Sequence, residues 1–278
     1  MKVTRREAVA TLAGGLLAEA YRGGATHFVR FSHRGGIDYG VLEEDYIRPL
    51  SGNIFGEHKV WSARFSLDDV KLLFPCEPRK IFAVGLNYRS HIGDRPVPKR
   101  PEIFYKPVSA LQNPEDPIVI PPDAKNVHYE GELVLVAGRK LKNASESEAR
   151  TAIFGVTCGN DVSERDWQGG PDKDLQWWRA KGADTFAPVG PSIAAGLDYG
   201  RLLLQTRLNG RVVQKQYTSD LIFAPPAILS WISRYVTIET GDLIYTGTPG
   251  RTSRMKPGDV VEVEIEGIGV LRNPVKAA

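Results

Sequence analysis

The chain is short of cysteine: Cys76 and Cys158 are the only two among 278 residues, far apart and in no C-x-x-C spacing. A disulfide framework and a thiolate zinc cage are thereby excluded. It also lacks an excess of one charge. Lys plus Arg number 36 against 33 for Asp plus Glu, a formal +3, with the signs interspersed and no long basic block. The electrostatic footprint of a nucleic-acid binder is therefore missing. No apolar run approaches the roughly 20 residues of a membrane helix, and there is no internal repeat or low-complexity linker. What is present, 42% hydrophobic and 25% charged residues, suits a chain with a sizeable core. The expected partner is a small molecule, with neither nucleic acid nor membrane.

The first twenty residues differ from the rest. Lys2, Arg5 and Arg6 precede the mostly apolar run Ala8 to Ala18, and Ala18-Glu19-Ala20 reads as a small-residue cleavage site. Residues 1–20 are thus expected to be an export signal of the twin-arginine kind, with a mature start near Tyr21. The location is exported if that signal works and cytoplasmic otherwise.

Residues 21–79 read as a small β-rich lobe, with short runs such as His27 to Phe31 and Tyr39 to Leu42 around a Gly35-Gly36 turn. Ile81 to Gly85 then opens a main domain over 80–278, made of apolar strands between Pro, Gly, Asn and Asp turns. Two helices are expected, Ser145 to Ala152 and Pro225 to Tyr235. Gly241-Asp242 and Gly258-Asp259 read as hairpin turns. The fold class is α+β and strand-dominated.

The stretch His128 to Gly138 is an apolar strand carrying two acids. With period two, Glu130, Glu132, Val134 and Val136 share one face and Leu133 and Leu135 take the other, so both faces read as buried. Unpaired carboxylates there would cost several kcal/mol each. Same-face neighbours lie about 6.5–7 Å apart, a span that two Glu side chains close around one cation. Val261 to Glu266 is the internal contrast, because its acids alternate with apolar residues as on a solvated face. Asp161, at the end of Phe154 to Asn160, is a third candidate ligand, since Ser163 and Asp166 read as a capping box of their own. An oxygen-only trio suits Mg2+ or Mn2+, with Ca2+ also possible, rather than zinc.

His91 stands three residues before Asp94, a spacing that joins a base to an orienting carboxylate within one helical turn. A lone histidine is more often structural than catalytic, and nothing but this spacing distinguishes His91 from His27, His33, His58 and His128. Lys181 could stabilise an oxyanion or simply face solvent, and composition does not decide between the two.

The motifs Val84-Gly85-Leu86-Asn87-Tyr88 with His91, Pro101 to Pro107, Tyr129-Glu130-Gly131-Glu132-Leu133, Gly159 to Gln168, Asp184 to Pro191 and Thr246-Gly247-Thr248-Pro249 come in one order. In that order the chain resembles the fumarylacetoacetate hydrolase family from about Ile81 to Val275. The resemblance implies a mixed β-sandwich or β-roll catalytic domain, a homodimer, and Mg2+ or Mn2+ on Glu130, Glu132 and Asp161. It implies His91 as general base, Lys181 as an oxyanion partner, and Gln168 and Thr248 lining the pocket of a 2-oxo-acid substrate. The leading activity it implies is hydrolysis of a C–C bond in an acylpyruvate or fumarylpyruvate through a metal-bound enolate. Isomerisation, decarboxylation or dehydration of a related oxo acid is the alternative, and a non-catalytic oxo-acid-binding protein is a third. The family commonly pairs this His with Glu, whereas position 94 is Asp, one methylene shorter.

Overall fold

The run Gly131–Ala137 is a strand buried along its whole length, and its period-two pattern decides what lies on either side. Leu133 and Leu135 enter one core with Ile228, Leu229 and Ile232 of the helix Pro225–Tyr235. Val134 and Val136 enter another with Phe28, Ile54, Val189 and Tyr245. The strand pairs antiparallel with Ile153–Asn160 and with Leu243–Tyr245. This is a computed structural model, and it describes residues 24–278. The export segment expected over 1–20 lies outside the described residues.

The main sheet runs in the order His58–Val60, Tyr46–Gly52, Gly36–Glu43, Thr26–His33, Ala187–Ala195, Ile153–Asn160, Gly131–Ala137, Leu243–Tyr245, Ile81–Gly85, Glu102–Lys106. The N-terminal strands share this sheet, because Thr26 pairs with Ala195 and Phe28 with Ile193. A second sheet orders Ile118–Ile120, Gly269–Ala277, Val260–Ile265, Leu203–Leu208, Arg211–Tyr217. Leu204, Val263, Ile265 and Leu271 from it share a core with Leu133, Leu135, Val156 and Cys158 from the main sheet, so the two sheets stack face to face. The strand-dominated, mixed sandwich expected from sequence is the architecture found.

Both expected helices form. Glu146–Ala152 starts with a reciprocal capping box between Ser145 and Glu148, and Pro225–Tyr235 starts with proline, whose missing N–H costs nothing there. On Val260–Ile265 the side chains of Val261, Val263 and Ile265 are buried, while Glu262 and Glu264 are half-buried and paired with Arg272 and Arg207.

The hairpin expectations need correction. Gly241-Asp242 joins no pair of strands; it follows the long helix, and the buried Asp242 carboxylate accepts from the N–H groups of Arg79, Lys80 and Glu239. Gly258-Asp259 likewise leads into a strand whose hairpin turn comes later, between Ile265 and Gly269. An aspartate after glycine was satisfying backbone donors instead of closing a hairpin. Both cysteines are free and buried. Among the described residues no helix is long and apolar enough to cross a membrane.

Candidate metal and catalytic site

The site forms where Gly131–Ala137 and Ile153–Asn160 end together. The Asp161 N–H donates to the Glu130 carbonyl at 2.9 Å, and the Glu130 N–H donates to the Asn160 side chain at 2.9 Å, so the backbone itself sets Glu130 beside Asp161. Glu132 enters from the strand. One carboxylate oxygen from each of Glu130, Glu132 and Asp161 lies within 4.8 Å of the others, and all three residues are buried. Close strand contact demands glycine on both sides. A Cβ on Gly159 would stand 2.4 Å from Val134 Cγ2, and one on Gly131 would stand 2.0 Å from Thr206 Oγ1.

Two buried lysines and a half-buried arginine surround these acids. Lys181 Nζ donates to Glu130 at 2.7 Å and to Asp161 at 2.6 Å. Lys106 Nζ donates to Asp161 at 2.5 Å and to the Lys181 carbonyl. Arg165 donates to Glu130 at 2.5 Å and to Thr252 at 2.8 Å. Burial alone would raise Glu130, but Arg165 and then Lys181 hold it well below the usual carboxylate range. Against the lowering effect of burial, Asp161 and Glu130 raise Lys181. Burial wins at Lys106, whose pKa is lowered despite Asp161.

Glu132 is different. Its carboxylate accepts from the Gly247 N–H at 2.7 Å and contacts none of the three cations. Burial, and then the charges of Asp161 and Glu130, push its pKa well above the usual value. A buried carboxylate driven upward by two neighbouring carboxylates is what a divalent cation relieves, and an all-oxygen donor set suits a hard ion. The residues present therefore fit a divalent metal.

His91 sits on the short helix Arg89–Ile92, directly after the strand Ile81–Gly85. Asn87 fixes that turn: its amide donates to the carbonyls of Thr246 and Phe223 and accepts from the Phe223 N–H. His91 Nδ1 lies 2.7 Å from the Gly250 carbonyl. A carbonyl oxygen only accepts, so Nδ1 carries the proton of the neutral ring and Nε2 keeps its lone pair. The pairing with Asp94 read from spacing is not closed here. The helix stops at Ile92, Gly93 turns the chain with φ +59°, and Asp94 is carried to an exposed position.

The remaining candidates are placed as follows. Gln168 is half-buried, and its Oε1 accepts from Arg165 at 2.7 Å. Thr248 is buried; its hydroxyl donates to the Gly131 carbonyl at 2.9 Å and accepts from Gln214 at 2.8 Å. The capping box expected from Ser163 and Asp166 is not the one formed. Glu164 caps the helix Arg165–Gly169 by accepting from the Trp167 N–H, and Ser163 Oγ donates to the Asp161 carbonyl. Ser163 lies in a short strand paired with Val127–His128, so the helix starts one residue later.

Lys106, Arg165, Asn160 and Gln214 were not singled out from sequence. Lys106 ends a strand, and a strand-end lysine carries no signal that separates it from a solvated one. For Gln214 the only signal was a polar residue at a buried position of a strand.

Three converging buried carboxylates, ringed by cations in a domain of two stacked β-sheets, make a donor set that fits a divalent metal. The family model "Fumarylacetoacetate (FAA) hydrolase C-terminal" matches residues 80–276, and "Rv2993c-like, N-terminal" matches 26–75. The chain belongs to the fumarylacetoacetate hydrolase family. It is similar to a structure described as 5-carboxymethyl-2-hydroxymuconate delta-isomerase from Mycobacterium smegmatis, at 39% identity and a TM-score of 0.85 over 91% of this chain and 100% of that one. An oxaloacetate tautomerase of Xenopus laevis is 37% identical over 79% of this chain and 76% of its own length. A maleylpyruvate hydrolase from Sphingobium sp. SYK-6, with manganese(II) and pyruvate, matches at 26% identity and a TM-score of 0.76 over 91% of this chain and 99% of that one.

Proposed function

We propose that this chain moves a proton between carbon and oxygen of a small 2-oxo acid, as a keto–enol tautomerase or isomerase. Glu130, Glu132 and Asp161 would hold a divalent ion, Mg2+ or Mn2+ ahead of Ca2+. The observation that carries this reading is the His91–Gly250 bond. A carbonyl behind the imidazole sets the Nδ1–H tautomer and leaves the Nε2 lone pair as the atom that would take a proton from the substrate carbon. A bound divalent ion would supply Lewis acidity toward the substrate carbonyl. Lys181, an ammonium beside Glu130 and Asp161, would steady negative charge on the substrate oxygen. The isomerase and tautomerase descriptions of relatives at 37–39% identity support the same reading.

A second reading is hydrolysis of a C–C bond in an acylpyruvate, favoured by the manganese- and pyruvate-bound maleylpyruvate hydrolase among the similar structures. A panel of enol oxaloacetate and acylpyruvates, with Mg2+ or chelator, separates the two. Chelator-sensitive loss of enol absorbance without pyruvate release from the acylpyruvates is the expected result. Chelator-sensitive pyruvate release from an acylpyruvate would move the assignment to the hydrolase. Metal binding with neither reaction would leave a binding protein.

A further inference from the structure

The acids and the histidine sit on different parts of the chain, and one side chain from the second sheet joins them. Gln214 stands within Arg211–Tyr217, opposite Thr206 across the hairpin, and is buried. Its Oε1 accepts from the N–H of Gly131, the residue between Glu130 and Glu132, at 3.1 Å. Its Nε2 donates to Thr248 Oγ1 at 2.8 Å and to the Pro249 carbonyl at 2.6 Å. The next residue, Gly250, is gripped from the other side: its N–H donates to Ser90 Oγ at 3.0 Å and its carbonyl meets His91 Nδ1 at 2.7 Å.

From this chain of contacts we infer that Gln214 is a positioning residue, setting His91 relative to the three carboxylates through the segment Thr248-Pro249-Gly250. The chemistry needs glutamine. One planar group must offer an acceptor on one side and two N–H donors on the other. Asparagine falls short by a methylene, and methionine fills the space without making any of the three bonds. Gln214 touches neither His91 nor a carboxylate, so its effect passes through the backbone of Gly250 and of Gly131. The kinetic part of the test rests on the reading of His91 as base; the spectroscopic part does not.

The test combines the ring nitrogens of His91, read by long-range 1H–15N correlation of the full chain, with kinetics of Gln214→Met. In the wild type His91 shows a single Nδ1–H tautomer; in Gln214→Met it shows a mixture, while Mn2+ affinity by electron paramagnetic resonance stays within about threefold. Turnover falls about tenfold or more, yet the same substitution in a His91→Asn background changes turnover by less than about twofold, the signature of two residues acting as one unit. Should Gln214→Met not fold, Ser90→Ala loosens the other side of Gly250 from an exposed position and is expected to give the same tautomer mixture. An unchanged single tautomer in the folded variant overturns the inference whatever reaction the enzyme performs. Losses that multiply in the double variant overturn the route through His91.

Discussion

Glu132 is the residue where the metal hypothesis is most exposed to test. Its pKa is raised in the folded chain, by burial first and then by Asp161 and Glu130. Above the ordinary carboxylate range the unfolded state has therefore released a proton that the folded state still holds, and stability without metal falls as pH rises through that window. Glu132→Gln removes the conflict. In chelator at pH 7 it should melt higher than the wild type. With Mn2+ at 100 times the wild-type Kd the wild type should gain about 2.7 kcal/mol and the variant little of it. Differential scanning calorimetry reads both; a variant that melts lower in chelator and keeps the Mn2+ gain contradicts the assignment. Lys106→Met should cost about 3–5 kcal/mol, because it strips Asp161 of a buried partner, and urea unfolding checks it. The acids were legible in sequence because two carboxylates interrupted a pattern that was otherwise apolar on both faces. Of their cations sequence pointed only to Lys181, and to that as an oxyanion partner, since Lys106, Lys181 and Arg165 converge from a strand end and two short helices that no local pattern brings together. Asp94 was misplaced because i, i+3 spacing assumes a helix that Gly93 ends.

At the scale of elements, the site depends on how closely the second sheet meets the start of Gly131–Ala137. A Cβ on Gly131 would stand 2.0 Å from Thr206 Oγ1 and 3.3 Å from Gln214 Oε1. Gly131→Ala should therefore cost about 1–3 kcal/mol by overpacking and weaken Mn2+ binding, since Glu130 and Glu132 flank the displaced residue; calorimetric titration with Mn2+ checks this. Helices with caps and apolar spacing were readable residue by residue, as the Ser145–Glu148 box shows. Turns were less so. Gly-Asp before a β-branched run has the composition of a hairpin, but besides the nearby Glu239 N–H, Asp242 faces two backbone donors, Arg79 and Lys80, from a distant segment, a long-range demand that local sequence does not encode.

Across the whole molecule, the N-terminal strands are held to the main sheet by pairing at Thr26–Phe28, and His27 is buried at that seam with Nδ1 3.0 Å from Ser192 Oγ. Burial lowers its pKa from 6.5 to about 4. Between those values the unfolded chain binds a proton that the folded chain does not, so stability falls as pH drops from 6.5 toward 4, by up to about 3 kcal/mol. His27→Gln should flatten that part of the pH–stability curve measured by urea unfolding; an unchanged slope would place the acid sensitivity elsewhere. The joining of lobe and domain into one sheet was not legible in sequence, because pairing between strands some 165 residues apart leaves no local mark. The most direct measurement of the whole account is hydrogen–deuterium exchange at the carbon beside the carbonyl of a 2-oxo acid, followed by proton NMR in D2O with Mg2+. Exchange should be fast with the wild type, abolished by chelator, and slowed about 100-fold or more in His91→Asn. Exchange that ignores the chelator, or proceeds at the wild-type rate without the imidazole, would contradict it.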